Sequence, residues 1–196
     1  MSSIISFLEE ILFKKSSKST NTVIQSANEL FNQAKYSNAE KELQKLTDKR
    51  LNKEDELKYL FLKSQICMKT GRFEEMSSLT DDLLRLAKHN RDRILTIDIL
   101  ITAAEANFRL ARLDSSMDYL NEANERFSLI QEQELPVDER KEKERSLTNL
   151  KGAIFSKQGR LTEALESYKT GLELAEEVNN KRGMAIAHNN IGTVLT

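Results

Sequence analysis

The chain has 196 residues, 31% of them charged and 39% hydrophobic, with one proline and six glycines, so helix breakers are scarce and helix formers abundant. Lys and Arg number 30 against 31 Asp and Glu; the net charge of −1 supplies no field to gather nucleic acid. Cys67 stands alone, which excludes an internal disulfide and suits a reducing compartment, and no apolar run approaches the roughly 18 residues that span a bilayer. Val, Ile and Thr do not alternate with polar residues for long enough to predict a sheet. Glu9 and Glu10 break the N-terminal apolar run, unlike a signal peptide. These features together predict an all-α protein of the cytoplasm.

Taken in order, Ile4, Phe7, Leu8, Ile11 and Leu12 fall on one stripe and predict a short amphipathic helix over Ile4–Lys15, with Lys14 and Lys15 at its C-terminal end where the helix dipole favours cations. It is expected to pack on the first unit or on a partner chain. A membrane-surface anchor wants a basic polar face, which Glu9 and Glu10 oppose. Residues 16–22, SSKSTNT, form a polar linker in which Thr20 or Asn21 can cap the next helix.

One pattern then repeats. Over 21–47 its marks are Ala27, Ala34, Ala39, Leu43 and Leu46, with Tyr36 just after the turn; over 54–89 they are Ser64, Gly71, Met76, Thr80 and Leu83, with Phe73. Over 92–133 they are Ala104, Ala111, Ser116, Leu120 and Ala123, with Leu113; over 150–174 they are Gly152, Gly159, Ala164, Tyr168 and Gly171, with Leu161. Each unit predicts two amphipathic helices joined at residue 34, 71, 111 or 159, at spacings of 37, 40 and 48. The longest spacing has its excess at 129–145. Pro136 stops a helix there, Asp138 is expected to cap the next, and the charged run 138–145 is expected to project into solvent. A fifth unit opens at Lys181 and puts Gly192 forty residues after Gly152.

The small–turn–alanine–aromatic spacing of Gly152, Gly159, Ala164 and Tyr168 resembles the tetratricopeptide repeat (TPR), whose basic period is about 34 residues. The stretch from 174 to 195, with Asn179, Asn180, Arg182, Gly183, Asn189, Asn190, Ile191 and Gly192, is similar to the long-helix repeats of kinesin light chains and related spindle-orientation adaptors. The resemblance is closest from Gly152 onward, looser over 54–126 and loosest over 21–48. It implies an all-α, right-handed superhelical α-solenoid of antiparallel helix pairs, because one unit cannot bury its own apolar face and stacked neighbours must cover it. Residues 1–19 would form an N-terminal helix and linker, and 20–196 a solenoid with repeats at about 20–52, 53–90, 91–136 and 137–180 and a partial one at 181–196.

In that family the first helix of each pair lines the inner wall. The resemblance therefore nominates Asn28, Phe61, Gln65, Lys69, Glu105, Phe108, Arg109, Asn149, Lys157, Asn189 and Asn190 as a peptide-binding face, with Ile24, Leu62 and Ile101 among their apolar neighbours. Asparagine amides can hold a peptide backbone whatever its side chains, whereas the apolar members fit equally well as packing between helices. A clamp for a C-terminal carboxylate is disfavoured: its places hold Ile24, Asn28, Leu62, Asp98 and Thr102, and Asn28 alone suits it.

Chemistry finds little foothold. There is no glycine loop for phosphate and no metal-spaced cluster, and His89 and His188 lie far apart. His188 is expected to pack beside Ala185 and Ile191, and Cys67, at the place of Phe155, to sit in the core. The carboxylate pairs Glu74–Glu75, Asp81–Asp82 and Glu176–Glu177 fall at helix starts or on wet faces. No enzyme activity, cofactor or metal is expected. The sequence points to a scaffold for protein–protein interaction, holding a peptide or helix of a partner, with no nucleic acid and no membrane span. Alternatives are a regulatory or sensor segment of a larger signalling protein, and a self-assembling module that forms a homodimer through the N-terminal helix or the uncapped C-terminal helix. Thr196 falls inside the fifth unit, which fits a chain cut from a longer protein, a paired copy, or a last helix that serves as cap.

Overall fold

The computed structural model describes residues 19–195. The predicted helix at Ile4–Lys15 lies outside them. The chain divides into two units between Asp92 and Arg93. The first holds α1 (19–32), α2 (Tyr36–Gln44), α3 (Lys53–Lys69) and α4 (Phe73–Asn90). The second holds α5 (Arg93–Arg109), α6 (Leu113–Ser128), a 3₁₀ turn (Glu132–Glu134), α7 (Val137–Lys157), α8 (Leu161–Glu177) and α9 (Lys181–Leu195). Among the described residues there is no strand.

The helix pairs are closed by one recurring turn. Ala34, Gly71, Ala111 and Gly159 all take left-handed backbone, at φ 59°, 75°, 57° and 76°. The next amide then reaches back to a carbonyl of the finished helix: Lys35 to Leu30, Arg72 to Cys67, Arg112 to Asn107 and Arg160 to Phe155, each at 2.9 Å. This is the six-to-one bond of a Schellman motif, which satisfies an otherwise orphaned carbonyl. The same residue's own carbonyl accepts the first bond of the following helix, as Ala164 N–H to Arg160 at 3.0 Å. Two residues thus reverse the chain, and the paired helices must run antiparallel. Arg91 and Asn179 repeat the left-handed turn at the ends of α4 and α8.

Two expectations about helix starts need correction. Thr20 and Asn21 do not cap the first helix: both are helical, and Thr20 is buried. Asp138 does not cap α7 either. Pro136 holds the N-cap place, where its missing N–H costs nothing, and Asp138 sits inside the first turn. The charged run 138–145 does not simply project into solvent. Arg140 donates to the carbonyls of Ile130 (2.8 Å) and Gln131 (2.6 Å) and lies over the Phe127 ring, Lys141 meets Glu177 at 2.7 Å, and Lys143 pairs with Asp98. These long side chains reach the neighbouring elements, so the start of α7 is tied to α5 and α8 by charge rather than by apolar contact.

The core of the first unit gathers Ala27, Ala39, Leu43, Leu62 and Ile66, flanked by Leu30, Phe31, Tyr36 and Tyr59. In the second unit Phe155, Ala164 and Tyr168 form a buried cluster against Met117, Ile191 and Val194. There α7 and α8 cross so closely that a Cβ on Gly152 would stand 2.8 Å from the Tyr168 ring. Only glycine leaves room for that tyrosine.

Candidate functional site

In the second unit α7 touches α5 on one side and α9 on the other. These first helices of successive pairs wall a cavity of about 450 Å³. From α5 come Ile101, Glu105, Phe108 and Arg109; from α7 come Glu142, Arg145, Ser146, Asn149, Leu150 and Ala153; Asn180, Arg182, Gly183 and Ile186 complete it. The chemistry is mixed, with an apolar floor and a charged rim.

A polar network fixes the α9 wall. Asn180 caps α9, its Oδ1 accepting the Gly183 N–H at 2.8 Å, while its Nδ2 donates to Glu142 Oε2 at 3.0 Å. Glu142 in turn receives Arg145 through Nε at 2.9 Å and through Nη2. The Arg145 guanidinium, and then the Asn180 amide, hold the Glu142 carboxyl below its usual range against the opposing effect of burial. Gly183 lets α9 approach: a Cβ there would lie 3.1 Å from the Ala175 Cβ and 3.2 Å from Arg145 Cδ. The Asn179–Asn180 and Arg182–Gly183 pairs therefore have distinct local duties: a left-handed turn, a helix cap, a rim cation and a close approach.

Of the nominated residues, Glu105, Phe108, Arg109 and Asn149 line the cavity. Asn149 does so with its amide turned aside. Both amide atoms are buried without a hydrogen-bond partner among the described residues, and they fill the notch at Gly171, where a Cβ would meet Oδ1 at 2.5 Å. Lys157 is exposed and off the cavity. Asn189 is exposed and Asn190 half-buried; they lie a turn beyond Ile186, because the cavity closes over the first half of α9 only. In the first unit Asn28 and Lys69 are exposed, Phe61 and Gln65 are half-buried, and Leu62 belongs to the core. Sequence reasoning missed Glu142, Arg145 and Arg182 as wall residues. The signal available for Asn180 was its place three residues before Gly183, the spacing of a cap and the amide it receives.

Burial pushes the Cys67 thiol up to about 11, where it stays protonated. His188 is exposed, contrary to expectation: the buried stripe of α9 runs through Gly183 and Ala187, and one further residue turns 100° away from it. Among the described residues no group of three His, Cys, Asp or Glu could hold a metal ion, and no helix is long and apolar enough to cross a membrane.

The tetratricopeptide repeat model matches residues 148–178. No curated protein matches the sequence. Among solved structures the chain superposes on BtubC (BKLC) from P. vanneervenii with a TM-score of 0.64 at 12% identity, over 93% of this chain and 82% of that one. It superposes on a kinesin light chain-type protein of Podosopora anserina with nearly identical TPR-like repeats at a TM-score of 0.61 and 11% identity, over 91% and 85%. Likeness at such identity is likeness of fold. With its antiparallel helix pairs and left-handed pairing turns, the chain has a tetratricopeptide-like α-solenoid fold, in which residues 148–178 match the repeat model itself.

Proposed function

We propose that the chain is a protein-interaction scaffold that seats an extended or helical segment of a partner protein in the groove walled by α5, α7 and α9. TPR repeats generally mediate contacts between proteins, and scaffolds of this family are typically non-catalytic. The observation that carries the reading is the 450 Å³ cavity itself, with Ile101, Phe108, Leu150, Ala153 and Ile186 offering apolar surface beside polar groups that can orient a peptide. A protonated, buried thiol and two exposed histidines, His89 and His188, far apart in sequence, support a role without catalysis.

The test is selection of a displayed library of short random peptides on the full chain. Ala153→Arg fills the groove and Phe108→Ala strips its floor. Selected peptides are expected to lose about tenfold in affinity on either variant while the helical circular dichroism is retained. Peptides that bind both variants as tightly as the parent would place the interaction elsewhere on the molecule.

A further inference from the structure

The groove uses one side of α7. The opposite side, carrying Leu147, Thr148 and Lys151, meets α6 and α8 around a separate cleft of about 410 Å³ that shares no lining residue with the groove. Leu147 is buried there, and the rest of the lining is polar. Its hydroxyl protons are already given away. Thr148 donates to the Glu144 carbonyl at 2.8 Å, Ser167 to that of Glu163 at 2.8 Å and Thr170 to that of Glu166 at 3.1 Å, each within its own helix. A hydroxyl that has given its proton can only accept, so what these three side chains still offer is oxygen lone pairs. Glu166 adds a carboxylate. Among the described residues it makes no ion pair, not even with Lys169 three places on, whereas Glu122 and Glu163 hold Arg126 and Arg160. The cation of the lining, Lys151, stands 5.7 Å from the centre of the Phe155 ring and leaves Glu166 unpaired.

We propose that this cleft between α6, α7 and α8 seats an arginine side chain of a partner protein. Every polar group of a guanidinium is a donor, which complements a lining whose hydroxyls and free carboxylate are acceptors. Its planar fork can lay two N–H groups on the Glu166 carboxylate and turn the others to the hydroxyl oxygens of α7 and α8. Leu147 meets the apolar stem, as an arginine stem favours. An ammonium fits less well, because it is a compact charge that water holds more strongly and it lacks the fork. An anionic ligand would face Glu166 and the oxygen lone pairs with Lys151 alone to hold it. The site is separate from the peptide groove and stands or falls without it.

The probe is the peptide Gly-Arg-Gly with both ends blocked, titrated into the full chain while backbone amide signals are followed by NMR. Shifts are expected at 147–151 and 166–170, with an affinity on the order of a millimolar for this single side chain. The same peptide with lysine should bind about threefold more weakly, and with the neutral isostere citrulline about tenfold more weakly. Glu166→Gln should weaken the arginine peptide about fivefold, and Lys151→Met, which removes the competing charge and keeps the stem, should strengthen it about twofold. Binding should also fall with added salt. Lysine or citrulline peptides that bind as tightly as arginine, or an affinity unmoved by Glu166→Gln, would overturn the proposal. So would shifts that lie on other surfaces or vanish on Ala153→Arg, which assigns them to the groove, and so would a peptide that causes no shift at its highest soluble concentration.

Discussion

At the turn of each helix pair a single residue carries a left-handed backbone. Gly71 and Gly159 adopt it freely, while Ala34 and Ala111 place a Cβ against the following carbonyl, at a cost of roughly 1 kcal/mol. Around Gly71 and Gly159 a Cβ would meet nothing within 4 Å, so the difference is purely one of backbone conformation. Ala111→Gly is therefore expected to stabilise the protein by about 0.5–1 kcal/mol, and Gly159→Ala to destabilise it by a similar amount; the midpoints of urea unfolding should move in opposite directions with the slope unchanged. Thr80 presents another cost at the same scale. It is fully buried and its hydroxyl has no partner among the described residues, at a place where the other units carry Leu43, Leu120 and Tyr168. Replacement by the isosteric valine removes an unmade hydrogen bond, and Thr80→Val should raise stability by about 1 kcal/mol. An unchanged or lower midpoint would mean that the hydroxyl has a partner after all.

Between elements, the contact of α7 with α8 depends on one matched pair. Where the first helix offers glycine, at 152, the second carries Tyr168; where it offers Ala27 or Ala104, the second carries Leu43 or Leu120. The bulk lost on one helix is returned by the other, as close packing requires. Gly152→Ala drives a Cβ to 2.8 Å from the Tyr168 ring, and should cost about 2 kcal/mol by overpacking. Combining it with Tyr168→Leu, which recreates the pairing of Ala104 with Leu120, should recover about 1 kcal/mol relative to the sum of the single changes. A strictly additive cycle would show that the two helices adjust independently. The polar seam at the start of α7 obeys another rule: Arg140, Lys141 and Lys143 stay partly exposed while their charged ends reach neighbouring elements.

At the scale of the assembled second unit, α9 is held both by apolar packing, through Ile191 and Val194 on the cluster of Phe155, Ala164 and Tyr168, and by a polar contact at its start. Gly183 and Ala187 are its buried residues, and Asn180 anchors its start to Glu142. The Glu142 carboxyl has a folded pKa below the 4.5 of its unconstrained state, so the ionised form is the one that folding favours. Its stabilising contribution is complete above about pH 4.5 and is lost as pH falls through the lower, folded value. Hydrogen exchange of the α9 amides, corrected for intrinsic rate, should stay constant from neutral pH down to about 5 and accelerate below 4.5. Glu142→Gln should weaken α9 protection at neutral pH and flatten that acid dependence. Equal acid sensitivity in parent and variant would assign the effect to another carboxylate of the second unit, such as Glu163, which Arg160 holds low.

The helix pairs and their turns were legible in the sequence because they depend on neighbours in the chain. A left-handed residue, a two-residue reversal and an apolar stripe are local demands, and positions 34, 71, 111 and 159 state them even where alanine replaces glycine. Cys67 in the core followed from the same register. What only the tertiary structure decided was which part of each first helix walls a cavity and which polar groups are already engaged. Asn149 has the composition of a ligand-binding residue, yet its amide turns into the notch that Gly171 leaves on another helix. Glu142 and Arg145 belong to a run that looks solvated in sequence, yet they hold α9. His188 looks like a packing residue, yet the stripe α9 buries passes one position before it. Each of these outcomes turns on how one helix meets another at a distance of tens of residues, and periodicity within a single helix carries no information about that meeting.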